Sequence, residues 1–132
     1  MTMDYELFDE ALLKPKSFSR SDRIADLLRE EVANMILFEI KDPRVQGLVT
    51  IISVKVTKDL RHADFFVSVR GGEKEEESAL LGLGKASSFI RRTLGRRIRM
   101  RRIPELHFKI DETVKAQEHL EELFKKIHEE RK

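Results

Sequence analysis

Apolar residues recur every three or four positions from Ile24 to Ile40, through Leu27, Leu28, Val32, Met35 and Ile36. That spacing places them on one side of a helix. Ser19 or Ser21 can cap it, and Asp22 favours the positive end of its dipole. Pro43 stops it, because the residue before a proline is pushed out of the α region. Gly47 lets the chain turn, and the apolar period then changes to two. In VTIISVKVTK, Ile52, Val54 and Val56 alternate with Ser53, Lys55 and Thr57, and in HADFFVSVR, Ala63, Phe65, Val67 and Val69 share one face. Two such runs joined by the polar Lys58–Arg61 turn predict an antiparallel hairpin.

Phe66 falls on the polar face, either covered by a helix or tail or exposed as a stacking aromatic. The acidic EKEEE run after Gly71-Gly72 reads as a loop and first helical turn, where acids favour the dipole, and not as a metal site. Leu80, Leu83 and Ala86 resume helical spacing. Leu106, Phe108 and Ile110 after Pro104 form a third strand. Asp111 caps a last helix striped by Ala116, Leu120, Leu123, Phe124 and Ile127, and docking on its own sheet would account for that stripe. The order is helix–strand–strand–helix–helix–strand–helix, an α+β sandwich of helices on three strands. Residues 1–19, with Tyr5, Phe8 and Leu12 one turn apart before Pro15, read as a flexible extension. Residues 20–128 read as one domain and 129–132 as a tail.

Charge changes the picture more than composition does. Lys85 to Arg102 holds eight Lys or Arg and no acid, seven of the eight being arginine, whereas the rest of the chain carries 18 basic against 24 acidic residues. The overall +2 thus hides a cationic segment on a body near −6. Such segregation is the footprint of a polyanion-binding surface, and guanidinium forks suit phosphate oxygens. The absence of cysteine excludes a disulfide framework and a thiolate zinc site. No apolar stretch approaches the ~18 residues of a membrane span. The acidic start, MTMDYELFDE, lacks the order of a signal peptide, so a cytoplasmic protein with no membrane partner is expected.

On a helical wheel Phe89, Ile90 and Leu94 fall on one side and Ser88, Arg91, Arg92, Gly95, Arg96 and Arg99 on the other. Arg97 turns toward the apolar side, so the helix should end close to it. Arg99, Arg101 and Arg102 then fall in the connection to the third strand. Gly82, Gly84, Ala86, Ser87 and Ser88 are poor residues for one long helix, which predicts a break at Ala86-Ser87-Ser88. A fresh amino terminus at Phe89 would offer unpaired N–H groups to a phosphate, beside Lys85 and the Ser87 and Ser88 hydroxyls. Arg20, Arg23 and Arg44 either extend the patch or pair with nearby acids.

Enzymatic chemistry has little support. His62, His107, His119 and His128 are scattered, with no nucleophile set or nucleotide loop beside them. His119 and Glu122, one turn apart, lack the further ligands that a metal needs. The expectation is a non-enzyme without metal or cofactor. The residues alone support an RNA-binding module with an arginine face.

The stretches RSDRIADLLREEVANMI, KDPRVQGLVTIISVKVTKDLRHADFFVSV and KASSFIRRTLGRRIRMRRIPELHFKID resemble the bacterial ribosome-binding factor A family. The resemblance covers residues 20–127 and includes Asp42-Pro43-Arg44, Lys58-Asp59-Leu60, Ala63 and Arg101 through Leu106. It implies a type II KH-like fold whose interhelical kink replaces the GxxG loop, here Ala86-Ser87-Ser88 with serine in place of the usual glycine. It also implies binding to free 30S subunits, late maturation of that subunit, processing of 16S rRNA near its 5′ end, and a role in growth in the cold. A monomer acting on 16S rRNA is the expected form. The RNA-binding residues would be Arg23, Arg44, Lys85, Ser87, Ser88, Arg91, Arg92, Arg96, Arg99, Arg101 and Arg102.

Overall fold

The computed structural model describes residues 19–130. The stripe expected at Tyr5, Phe8 and Leu12 lies outside them. Helix α1 spans Arg20–Phe38, and Ser19 supplies its cap: the Ser19 hydroxyl accepts from the Asp22 N–H while the Asp22 carboxylate accepts from the Ser19 N–H, both at 3.2 Å. Ser19 therefore belongs with the helix. α1 ends four residues before Asp42, with the N–H groups of Glu39 and Ile40 both on the Met35 carbonyl. Asp42 instead opens a turn of its own, its carbonyl accepting from Val45 and Gln46. Ile40 is buried all the same, from beyond the helix.

Strands β1 (Val49–Val56) and β2 (His62–Val69) pair antiparallel, and β3 (Glu105–Ile110) joins the far edge of β2 in parallel. A parallel neighbour needs a long crossover, and helix α2 (Glu73–Arg97) provides it. The register shifts between Ile51 and Ser53, so Ile52 sits at a bulge. Alternation read from the sequence put Ile52 inside with Val54 and Val56. The bulge reverses this: Val49 and Ile51 are buried, and Ile52 is exposed.

α1 and α2 cover the apolar face of the sheet. Phe65 is fully buried among Leu28, Val32 and Met35 of α1 and Leu83, Ile90 and Leu94 of α2, with its ring centroid 5.2 Å from that of Phe108. Phe66 lies half-buried on the opposite face.

The predicted break in α2 is absent: one helix of 25 residues runs through Ala86-Ser87-Ser88. Ala79, Leu83, Ile90 and Leu94 are all fully buried, so one apolar stripe crosses the site where a break was expected. Burial of that stripe outweighs the modest helix penalty of two serines, well under about 1 kcal/mol each. Gly82 serves packing: a Cβ there would stand 2.9 Å from Val45 Cγ2.

Helix α3 (Glu112–Glu130) starts where Asp111 Oδ1 accepts from the Thr113 N–H at 2.8 Å, and Lys115 pairs with Glu76 of α2 at 2.8 Å. Its stripe does not dock as expected, because Leu120, Leu123, Phe124 and Ile127 are exposed. The apolar face of the sheet is already covered by α1 and α2, which leaves the α3 stripe without a place on it. No described helix is long and apolar enough to cross a membrane.

Candidate nucleic-acid interface

Two sets of buried anchors shape the cationic surface. Ile90, Thr93 and Leu94 fix the inner side of α2, leaving Lys85, Ser88, Arg91, Arg92 and Arg96 exposed on the outer side. The Thr93 hydroxyl is satisfied by the Phe89 carbonyl at 2.9 Å, and no buried side-chain polar atom among the described residues is left unpaired. Beyond the helix, Ile98 and Pro104 are buried while Met100 and Ile103 pack partly against the core. The connection is thereby pinned along its length, and Arg99, Arg101 and Arg102 are exposed between the pins. The Arg91 guanidinium donates to the Ile103 carbonyl at 3.0 Å, binding helix to connection.

The arginines divide by what already neutralises them. Arg44 grips its own turn, its Nε donating to Asp42 Oδ1 at 3.0 Å and its Nη2 to Oδ2 at 2.6 Å. Arg44 is therefore withdrawn from the set of free cations that the sequence suggested. Those bonds hold the Asp42 carboxyl down at about 2, with Lys85 nearby contributing last. Arg97, phased toward α1 yet still exposed, pairs with Glu39 and Glu31 of α1 and its cap. Among the described residues, Arg23, Arg92, Arg96, Arg99, Arg101 and Arg102 have no carboxylate partner. An unbroken α2 removes the amino terminus expected at Phe89. Ser87 is half-buried and Ser88 exposed on a continuous helix, which presents side chains and no fresh backbone N–H groups at this point.

Arg61 joins the cationic surface although it lies in the β1–β2 turn, far along the chain from the arginine run, and nothing in the sequence signals this. It lines a cavity of about 390 Å³ with His62, Arg91, Arg102, Ile103 and Glu105. It also lines a second of about 440 Å³, with Arg20, Asp59, Leu60, Met100, Arg101 and Arg102. A cavity of similar size near the start of α3 is lined by Glu73, Glu76, Asp111 and Glu118 against Arg70 and Lys115, an acidic balance that disfavours a polyanion. The histidines also regroup: His62 Nδ1 lies 3.1 Å from His107 Nε2 and 3.9 Å from Glu105 Oε2. These three are the described residues with metal-ligand spacing. Arg61, Arg91 and Arg102 line the cavity beside His62 and Glu105, so its charge favours an anion over a dication.

A family model described as Ribosome-binding factor A matches residues 20–124, nearly all of the described chain. The chain belongs to the ribosome-binding factor A family. The ribosome-binding factor A of Gemmatimonas aurantiaca is 44% identical over 112 residues, covering 85% of this chain and 77% of that protein. That of Caldanaerobacter subterraneus subsp. tengcongensis is 40% identical over 111 residues, covering 84% and 91%. The crystal structure of ribosome-binding factor A from Thermus thermophilus superposes with a TM-score of 0.61 at 31% identity, covering 68% of this chain and 93% of that one. A homology model of the Thermus thermophilus protein, fitted into a cryo-EM map of a 30S complex, matches at 32% identity and a TM-score of 0.52, over 63% of this chain and 86% of that one. The fold of this chain is the KH-like α+β fold of ribosome-binding factor A.

Proposed function

We propose that this chain binds the free 30S ribosomal subunit and assists its late maturation, including processing of 16S rRNA near the 5′ end. The observation that carries the reading is the row of arginines without carboxylate partners among the described residues, Arg92, Arg96, Arg99, Arg101 and Arg102, on one helix and its pinned connection. Unneutralised guanidiniums at fixed spacing suit the phosphates of folded RNA. Family membership and the relative fitted into a 30S map support the small subunit as the particle bound. The factor acts as a positional clamp: arginines hold phosphates, and the sandwich of α1 and α2 on the sheet fixes their geometry. Phosphate contacts orient a protein without reading sequence, so selectivity for the particle comes from RNA shape.

Co-sedimentation with purified 30S, 50S and 70S particles across a salt series tests this. Binding to free 30S alone, falling roughly 100-fold between about 50 and 200 mM salt for about five phosphate contacts, is the expected result. Loss of that binding in the double variant Arg92→Glu, Arg96→Glu, with the fold intact by circular dichroism, locates the surface. Equal binding to all three particles would reduce the factor to a generic RNA-binding module. For the maturation step, cells depleted of the protein should accumulate 16S rRNA with an unprocessed 5′ end, most strongly in the cold.

A further inference from the structure

Leu60, in the turn between β1 and β2, has a φ of 62°, the only positive φ of a non-glycine residue among those described. Glycine or asparagine takes that left-handed position easily, whereas a leucine side chain crowds the backbone there. Other bonds define the turn. The Leu60 N–H donates to the Thr57 carbonyl at 2.8 Å, and Asp59 Oδ1 accepts from the Thr57 hydroxyl at 2.6 Å and the Arg61 N–H at 3.1 Å. These bonds hold the Asp59 carboxyl below its ordinary range and commit it to the turn. A strained leucine where glycine would serve points to a task outside the turn.

That task is visible in the 440 Å³ cavity beside it. Leu60 and Met100 form its apolar wall, and Arg20, Arg61, Arg101 and Arg102 surround the rest with Asp59. The four arginines come from three separate segments, and none has a carboxylate partner among the described residues. Four arginines against the single Asp59 carboxylate, itself committed to the turn, call for an anion in a cavity of ligand size, and the apolar wall for a flat organic group attached to it. We propose that this cavity seats one nucleotide of single-stranded RNA, its phosphate among the arginines and its base against Leu60 and Met100. The seat rests on the RNA-binding reading above and adds to it a contact from the β1–β2 turn.

The test is fluorescence anisotropy with a labelled decauridylate, repeated with inorganic polyphosphate as a competitor that has charge but no base. Leu60→Gly and Leu60→Asn both suit the left-handed backbone. They should keep a thermal midpoint within a few degrees of the parent, weaken decauridylate binding about tenfold, and leave polyphosphate competition unchanged. Arg20→Ala with Arg61→Ala should weaken both ligands and lower the salt slope by about 1.4, for two lost phosphate contacts. Leu60 variants that bind like the parent, lose both ligands equally, or unfold would overturn the seat. A parent protein that binds 30S but not decauridylate would overturn the seat and leave the ribosomal reading standing. Binding neither would overturn both.

Discussion

Arg97 Nη2 lies 2.9 Å from Glu39 Oε2, joining the last residue of α2 to the cap that follows α1. Arg97 sits within the cationic run yet faces away from the surface formed by Arg92 and Arg96, because one step of helical phase separates it from Arg96. Glu39 and Glu31 raise its already high pKa, so the Arg97 guanidinium is charged at any pH at which the protein folds. Arg97→Ala should lower the urea midpoint while changing RNA affinity less than about threefold, since a lost phosphate contact costs far more. A large loss of binding without loss of stability would place Arg97 in the interface.

Two glycines of α2, two positions apart, should respond oppositely to alanine. At Gly82 the new Cβ meets Val45 Cγ2 at 2.9 Å, and Val45 is fully buried. Overpacking of that kind costs about 1–3 kcal/mol, more than the helix propensity gained. Gly84 has nothing within 4 Å. Gly84→Ala should therefore stabilise by about 1 kcal/mol. Urea unfolding of both variants checks the difference in sign.

The Asp42–Arg44 pair carries a pH signature. The Asp42 carboxyl is lowered from 3.8 to about 2 by hydrogen bonds from the Arg44 side chain and backbone. A depressed carboxylate stabilises the fold fully above its unfolded value, and that contribution is lost as pH falls through the folded one. The stability gap between the parent and Asp42→Asn should therefore be constant above about pH 5 and close between about pH 4 and 2. Thermal midpoints across that range decide it; a gap that persists at the acid end would mean that Asp42 acts by shape and not by charge.

Leu120 is 51% exposed and Phe124 62% exposed on α3. Replacing both with serine should leave the unfolding free energy within about 1 kcal/mol of the parent, as befits surface positions. A loss of several kcal/mol would show that this stripe is covered in solution.

Most of the architecture is legible because it follows local periods. The Leu28–Val32–Met35 and Leu83–Ile90–Leu94 stripes fall where helical spacing puts them, as does the switch to alternation at Val49. The same local reading fails where a distant neighbour decides. Ile52 lost its place to a bulge, which alternation cannot register. Glycines and serines in α2 suggested a break because the demand at Gly82 comes from Val45, on another segment. The α3 stripe shows an apolar face without showing which surface lies beside it. At the candidate site, the outward arginines of α2 follow from the helical wheel, and so does the turn of Arg97 away from them. Arg61 and the His62–His107 contact do not, because strand pairing alone brings residues 62 and 107 together. The Arg44–Asp42 pair lay open in the sequence as one of two alternatives, and only geometry chooses between them.

The parallel pairing of β2 with β3 also governs when the arginine surface comes into existence. His62 meets Glu105 across 43 residues of chain, whereas the β1–β2 hairpin closes over a turn of a few residues. Loop closure makes the short pairing fast and the long one slow, so β3 joins after the hairpin has formed. Arg99, Arg101 and Arg102 are fixed only when β3 is in place. Until the last strand docks, Arg99, Arg101 and Arg102 are expected to form a loose basic stretch beside α2, with the spatial pattern of charge completed in the closing step of folding.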